Sequence, residues 1–488
     1  PITELLPRIA ESLAAHPRLV LEAPPGAGKT TQVPLALLDA GWLSGRRIVM
    51  LEPRRVAARA AAGFMAEQLG ESVGGTVGYR IRFENKVSAR TRVEVVTEGI
   101  LTRMLQDDPM LDGIGALLFD EFHERHLAGD LGLALALDVQ ASLRPDLRIV
   151  AMSATLDGER LAQFLDAPRL SSAGRSFPVD IAHFPPRREE TLEHQARRTI
   201  EHALATHPGD VLVFLPGQGE IAKVDAALAN ANVDAEVLAL HGELPIEQQS
   251  RVLQPAADGR RRVVLATNVA ESSVTLPGVR VVIDSGLARE PRFDPNSGFS
   301  RLDAVSISQA SADQRAGRAG RVAEGWAYRL WPPSQRLEAQ RRPEIAQVDL
   351  APLALELAAW GSDALRFVDP PPAGAMAAGR DLLQRLDALD ANGTIAARGR
   401  KMLALGTHPR LAAMLLAAND PRRVALACDL AALVESRDPL RSRSDAVAER
   451  WNALAAFRKG HVVADARRSA LAALDAAARQ WSRRLRCE

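Results

Sequence analysis

The segment that most constrains this chain is Ala23-Pro24-Pro25-Gly26-Ala27-Gly28-Lys29-Thr30. It follows a short apolar run, Leu19-Val20-Leu21, and precedes a stretch suited to a helix, Thr31 to Leu38. Strand, glycine-rich turn and helix in that order make a phosphate-binding loop. The glycines let consecutive backbone N–H groups turn inward toward an anion, and the start of the following helix adds its positive end. Lys29 would reach terminal phosphates and the Thr30 hydroxyl would hold Mg²⁺, with Thr31 beside them. The usual pattern begins with glycine, and here that place is Ala23. Taken alone, the segment could also be a Gly/Pro loop with one exposed lysine.

A second segment argues against that plainer reading. Gly115-Ala116-Leu117-Leu118-Phe119 is continuously apolar, as a strand buried in a parallel sheet must be. It ends in Asp120-Glu121-Phe122-His123. Carboxylates at the C-terminal end of such a strand lie beside the phosphate loop in a doubly wound sheet. Asp120 would bind Mg²⁺, partly through water, and Glu121 would polarise an attacking water.

The 488 residues exceed what one core supports, and about three or four domains are expected. The formal net charge is only +1, so a polyanionic partner would need a local groove, not bulk basicity. Two cysteines, Cys428 and Cys487, cannot make a metal site alone and suit a reducing cytoplasm. No apolar stretch is long enough to span a bilayer, and no secretory signal is visible.

Further apolar runs alternate with helix-compatible stretches: Arg47–Leu51, Val93–Val96 and Ile149–Met152, then Val211–Phe214, Val237–Leu240, Val263–Leu265 and Val279–Ile283. This is the pattern of two α/β domains with parallel sheets. The polar ends of the runs carry the candidate chemistry. They read Glu52-Pro53-Arg54-Arg55, Thr97-Glu98-Gly99, Ser153-Ala154-Thr155, Pro216-Gly217 and Thr267-Asn268 onward. An irregular stretch over 172–186 reads as the interdomain connection. Gln314-Arg315-Ala316-Gly317-Arg318-Ala319-Gly320-Arg321 puts three arginines at i, i+3 and i+6, near one face of an expected helix. Aimed across a cleft, Arg318 and Arg321 could neutralise a transferring phosphoryl group; alternatively they belong to a basic surface helix.

In this order, GAGKT (26–30), EPRR (52–55), TEG (97–99), DEFH (120–123), SAT (153–155), TNVAESSVT (267–275) and QRAGRAGR (314–321) resemble the motifs of the superfamily-two helicases of the DEAH/RHA group. The Leu-Glu-Pro-Arg-Arg and Asp-Glu-Phe-His variants, with Trp360-Gly361 and Asp369-Pro370-Pro371-Pro372 downstream, resemble the bacterial HrpB-type members. The resemblance implies an α/β fold with two tandem RecA-like domains, over 1–172 and 173–335. It also implies a winged-helix-like domain over 336–405 and a helical, ratchet-like domain over 406–488 that the end of the chain could cut short. ATP with Mg²⁺ is expected in the cleft, other NTPs being acceptable since no adenine-reading motif precedes the loop.

Carried over by position, Glu121, Asp120, Gln314, Arg318, Arg321 and His123 would be catalytic, and Ser153 and Thr155 would couple hydrolysis to motion. Arg54, Arg55, Thr97, Glu98, Gly217, Thr267 and Asn268 would follow a nucleic-acid backbone, which suits action on many sequences. A β-hairpin over 291–303 would bring Phe293 and Phe299 near a base, or those rings anchor the hairpin to its own domain. The implied activity is NTP-driven movement along single-stranded or partly duplex nucleic acid, RNA being favoured. The alternatives are a DNA helicase of the same motor type and a nucleic-acid clamp without unwinding.

Overall fold

The structure is a computed structural model. It describes residues 2–486 except 25, 82–83, 155–157, 173–176, 232, 243, 245, 257–258, 272–275, 295–297, 363, 437 and 443, and only the backbone of 246, 247, 299 and 486. The chain forms two compact units: residues 1–348 with 365–371, and residues 349–364 with 372–488.

The first unit holds two sheets. Strands β1 (Arg18–Glu22), β2 (Arg47–Leu51), β3 (Val77–Ile81), β4 (Glu84–Lys86), β5 (Val93–Val96), β6 (Ile114–Phe119), β7 (Arg148–Ser153) and β8 (Arg169–Ser171) make the first. Their order is β4-β3-β5-β2-β6-β7-β1-β8, and only the β3–β4 pair is antiparallel. The central strands are buried on both faces, which is why they read as unbroken apolar runs. β7 lies between β1 and β6, so the loops that leave those three strands gather on one edge.

The second sheet contains β9 (Val179–His183), β10 (Asp210–Phe214), β11 (Glu236–Leu240), β12 (Arg262–Ala266) and β13 (Val279–Asp284). A hairpin follows, β14 (Leu287–Asp294) with β15 (Phe299–Ser306), and β16 (Gly325–Arg329) then joins the sheet. The sheet is parallel throughout, in the order β11-β12-β10-β13-β16-β9. These are two tandem RecA-like α/β domains. The hairpin runs longer than the expected 291–303, and the turn positions 295–297 lie outside the described residues.

Several strands went unread in the sequence. β9 falls inside the stretch taken as an irregular connection. It is a half-exposed edge strand close to Pro178 and Pro185, so it shows no clean alternation. β3 is interrupted by Gly78, where a Cβ would lie 2.4 Å from the Lys86 carbonyl oxygen. Only glycine lets β4 fold back that closely.

The second unit is helical: Ala351–Trp360, Ala373–Arg385, Ala397–Leu405, Pro409–Ala417, Pro421–Glu435, Val447–Arg458 and Arg468–Arg486. Between the second and third helices an antiparallel bridge pairs Leu389 with Ile395 around Gly393, whose φ is 80°. This bridge is a small antiparallel turn within the helical unit, where the winged-helix-like element was expected.

Candidate nucleotide site and interdomain cleft

The phosphate loop leaves β1 and enters the helix Lys29–Leu37. Gly26 (φ 82°) and Gly28 (φ 95°) adopt backbone that side-chain-bearing residues rarely take. Ala23 needs no such freedom. It is buried, and its N–H donates to the Ser153 carbonyl at 3.1 Å, so alanine serves at the first loop position. Pro24 is half-buried, the Ala27 N–H closes back onto the Pro24 carbonyl, and Pro25 lies outside the described residues. Thr31 donates its N–H to the Gly28 carbonyl, which starts the helix.

Lys29 is 2 % exposed, and its Nζ lies 3.1 Å from Glu121 Oε1. Burial works against the Lys29 charge, but Glu121, Asp120 and Glu52 outweigh it and hold the ammonium above its usual range. Burial likewise pushes Glu121 up, and Lys29 and His123 overcome it, so Glu121 stays ionised. Asp120 is pushed above the usual carboxylate range by burial, in spite of Lys29 and a hydrogen bond from Thr30. Glu52, fully buried among acidic neighbours, is raised further. Among the described residues, Asp120 Oδ2 and Glu52 Oε2 are buried without a hydrogen-bond partner.

Glu121 itself has φ 49°, the left-handed region where a non-glycine residue is strained. It opens a short 3-10 turn, Phe122–Glu124, which ends at Arg125, with φ 51°. His123 is directed to the neighbouring strand end. The Ala154 N–H donates to its Nδ1 at 3.3 Å, and Nδ1 lies 3.4 Å from Glu121 Oε2. His123 is therefore bonded to Ala154 within the first domain and stands beside Glu121, whose Oε2 has no hydrogen-bond partner among the described residues. Burial lowers its pKa, which keeps the acceptor nitrogen free of a proton. Thr155 lies outside the described residues.

The second domain supplies the facing wall. A Cβ on Gly26 would lie 3.3 Å from Arg321 Cζ, so the guanidinium rests directly on the phosphate loop. Arg318 is 3 % exposed, and its Nε donates to the Glu271 carbonyl at 2.9 Å. Both guanidinia are depressed: Arg321 by burial, to about 10, and Arg318 by burial and by the like charge of Arg321. Among the described residues, Arg321 Nη2 and Gln314 Nε2 are buried without a hydrogen-bond partner. Gln314 lines a cavity between the domains together with His123, Arg54, Asn268 and Glu271.

The expected three-arginine helix face is corrected. The helix Gln309–Ala316 stops before Arg318, and consecutive i→i−3 hydrogen bonds wind residues 318–320 into tight turns; at Gly320 a Cβ would lie 2.5 Å from the Phe177 carbonyl oxygen. Arg315 points into its own domain. Its Nε and Nη1 lie 2.8 Å from Glu271 and 2.8 Å from Asp284, and its guanidinium covers the Phe214 ring. Arg315 thus fixes Glu271, whose carbonyl in turn aims Arg318.

The nucleic-acid residues are more dispersed. Arg54 is engaged in the cleft: its Nη2 lies 2.8 Å from Glu124 Oε1 and its Nη1 donates to the Asn268 carbonyl at 2.7 Å. Arg55 is exposed. Thr97 and Thr267 are half-buried; Thr97 precedes the helix Glu98–Asp107 and Thr267 the short 3-10 turn Asn268–Ala270. Glu98 turns inward, lining a small pocket behind Asp120 and Glu121, and burial pushes it up to about 7. Gly217 is crowded by the hairpin: a Cβ there would lie 2.6 Å from Arg289 Nε. Phe293 is half-buried and its N–H donates to the Gln347 carbonyl at 3.0 Å, while the Phe299 side chain is outside the described residues.

Two family models match. The DEAD/DEAH box helicase model covers residues 6–164 and the helicase conserved C-terminal domain covers 194–323. Escherichia coli ATP-dependent RNA helicase HrpB is 46% identical over 443 residues, 89% of this chain and 54% of that protein. The chain belongs to the DEAH/RHA group of helicases. A crystal structure of the Escherichia coli DEAH/RHA helicase HrpB matches with TM-score 0.88 and 42% identity, over 100% of this chain and 60% of that one. The fission yeast pre-mRNA-splicing factor ATP-dependent RNA helicase prp22 is 38% identical over 85% of this chain and 37% of its own length. The chain therefore spans about half the length of HrpB and less of prp22.

Within this DEAH/RHA framework the motifs mark the loop, the Asp120–His123 turn and the facing arginines, but not all of the residues that hold them in place. Asp284, Glu124, His126 and Glu344 lie outside the quoted motifs, and Glu271 lies within one whose spacing did not single it out. Only burial and pairing disclose them: His126 Nε2 lies 2.9 Å from Glu124, and Glu344 accepts the Leu127 N–H at 2.7 Å. Among the described residues, no group of three or more potential ligands could cage a metal. Mg²⁺ sites on phosphates use one or two carboxylates and do not need such a cage. No described helix is long and apolar enough to cross a membrane.

Proposed function

We propose that this chain hydrolyses ATP, with Mg²⁺, between its two RecA-like domains and uses the cycle to move along single-stranded RNA in the cytoplasm, opening duplex ahead of it. The observation that carries this is the placement of Arg321 on Gly26 of the phosphate loop, with Lys29 paired to Glu121 beneath. The cleft is deficient in charge of both signs. Arg321 lies on the loop with buried Arg318 close to it, and on the other side Asp120 and Glu52, both raised by burial, each keep a buried oxygen without a hydrogen-bond partner among the described residues. A triphosphate with its cation answers both needs.

The loop amides and Lys29 bind the phosphates, and Lys29 exchanges Glu121 for them on binding. Thr30 and Asp120 would hold Mg²⁺, which neutralises charge on the bridging oxygens. Glu121, released from Lys29 but still beside His123, orients the attacking water. Arg318 and Arg321 stabilise charge that develops on the transferred group, and Gln314 completes that wall. His123, beside Glu121, holds the neighbouring strand end through the Ala154 N–H. Loss of the product phosphate removes what holds Arg318 and Arg321 against the loop, and the domains part. Repeated closure against a strand gripped by both domains gives directed movement.

The test compares ATP hydrolysis with single-stranded RNA, single-stranded DNA and a partial duplex. RNA stimulation well above that by DNA, with strand separation, supports the proposal. Equal or greater stimulation by DNA overturns the choice of RNA, and stimulation without strand separation overturns unwinding.

A further inference from the structure

Residues 365–371 belong to the first unit, although the segments on both sides of them belong to the second. The chain thus leaves its C-terminal unit, lays a short strap on the first RecA-like domain, and returns. Three contacts fasten this strap to the helix Gly158–Leu165, which follows the Ser153-Ala154 segment. Arg366 donates to the Phe164 carbonyl at 2.6 Å and its guanidinium sits 5.0 Å from the Phe164 ring centre. Arg160 donates to the Val368 carbonyl at 3.2 Å. Arg160 also lies 2.5 Å from Asp369 Oδ1.

The other oxygen of Asp369 reaches elsewhere. Its Oδ2 lies 2.7 Å from Nη1 of Arg125, the residue that closes the turn opened by Glu121. Both ends of that turn have left-handed backbone, at φ 49° and 51°. Non-glycine residues persist there only when their surroundings over-determine them. Arg125 is held on every side. Asp130 takes its Nε and Nη2 at 3.0 Å each, its carbonyl accepts the Glu344 N–H at 3.1 Å, and its guanidinium lies 5.8 Å from the Phe122 ring centre. Of these holds, Asp369 alone comes from the strap. Three prolines follow it, Pro370, Pro371 and Pro372, and they stiffen the support.

We propose that Asp369 is a positioning residue for hydrolysis. Through Arg125 it holds the Glu121–Arg125 turn in the strained form that aims the Glu121 carboxylate, while Arg160 only fastens the strap to the helix Gly158–Leu165. It touches no substrate. The inference rests on the reading of the cleft as an ATPase site, so its test includes a readout that does not need hydrolysis.

Asp369→Asn removes the charge and keeps the shape, Asp369→Glu restores the charge, and Arg160→Ala loosens the strap without touching Arg125. Misplacing a catalytic group by a fraction of an ångström costs on the order of tenfold or more in rate. Asp369→Asn should lower kcat for RNA-stimulated ATP hydrolysis about tenfold, with KM for ATP within about twofold of the parent. Asp369→Glu should recover much of that loss, and Arg160→Ala should change kcat less than about threefold. Amide hydrogen exchange of the 120–126 peptide, without nucleotide, should be faster in Asp369→Asn than in the parent and in Arg160→Ala. Unchanged exchange in that peptide overturns the proposal, as does a loss shared equally by Asp369→Asn and Arg160→Ala together with a lowered melting temperature. A parent that does not hydrolyse ATP sinks the ATPase reading instead, and the exchange result still decides the role of Asp369.

Discussion

Arg321→Ala takes the guanidinium off Gly26 and leaves Arg318 on the second domain's wall. A guanidinium that meets the transferring phosphoryl group is worth about 10³–10⁵ in rate, or about 4–7 kcal/mol at 1.36 kcal/mol per tenfold. Here two guanidinia enter one cleft, and the charge of Arg321 depresses that of Arg318. Dividing the effect between them assigns about 2–3.5 kcal/mol to Arg321, a loss of about 30- to 300-fold in kcat. Relief of the repulsion on Arg318 pulls the result toward the lower figure. Nucleotide binding should suffer less, about tenfold at most, because the loop amides and Lys29 remain. Arg321→Lys should fall between, since an ammonium keeps the charge without the flat fork that lies on a bare glycine. The assay is single-turnover hydrolysis at saturating RNA, beside a titration with a fluorescent nucleotide. A kcat within about threefold of the parent refutes the reasoning, and so does a loss confined to binding.

Arg315→Met leaves Asp284 and Glu271 without their buried cation. Removing one partner of such a pair costs about 3–5 kcal/mol, so the melting temperature should drop by about 6–20 °C, and a shift under about 2 °C in calorimetry would contradict the pairing. His126 offers a pH test. Burial works to lower its pKa, but Glu124 and Glu344 overcome it and raise the imidazole from 6.5 to about 10. The folded pKa exceeds the unfolded one, so the stabilisation is whole below pH 6.5 and fades as pH rises toward about 10. Denaturant melts of His126→Gln should accordingly show a flatter stability profile than the parent between those limits; parallel profiles would count against the raised value. His123→Ala should lower RNA-stimulated hydrolysis while melting within a few degrees of the parent. A variant at the parent rate would remove His123 from the link to Ala154.

The two RecA-like domains and the phosphate loop were legible in the sequence for a local reason. Gly26, Gly28, Lys29 and Asp120 act where the chain places them, at the end of a strand whose neighbours are buried on both faces. The arginines were legible only in part. Their spacing marked three cations, but whether each faces the cleft depends on where the helix stops. The tight turns after Ala316 and the pull of Asp284 and Glu271 on Arg315 decide that. Arg54 reads as a phosphate contact until tertiary structure brings Glu124 and the Asn268 carbonyl to it. Glu98 looks like a groove residue until burial shows it turned behind Glu121. Asp369 stands at the head of the Asp-Pro-Pro-Pro segment, but it lies far along the chain from Arg125, so only the fold discloses the contact. Edge strands β8 and β9 stayed hidden because half-exposed strands need neither an unbroken apolar run nor clean alternation.

The central claim is that Glu121, drawn between Lys29 and His123 and faced by Arg318 and Arg321, drives hydrolysis in a cleft assembled from both domains. The most direct measurement is phosphate release by the parent and Glu121→Gln, each at saturating ATP with and without single-stranded RNA, beside nucleotide binding by both. The account predicts RNA-stimulated release by the parent. It also predicts a rate lower by about 10² or more in Glu121→Gln, with nucleotide binding retained. Release by Glu121→Gln at the parent rate, or no release by the parent with RNA present, would contradict it.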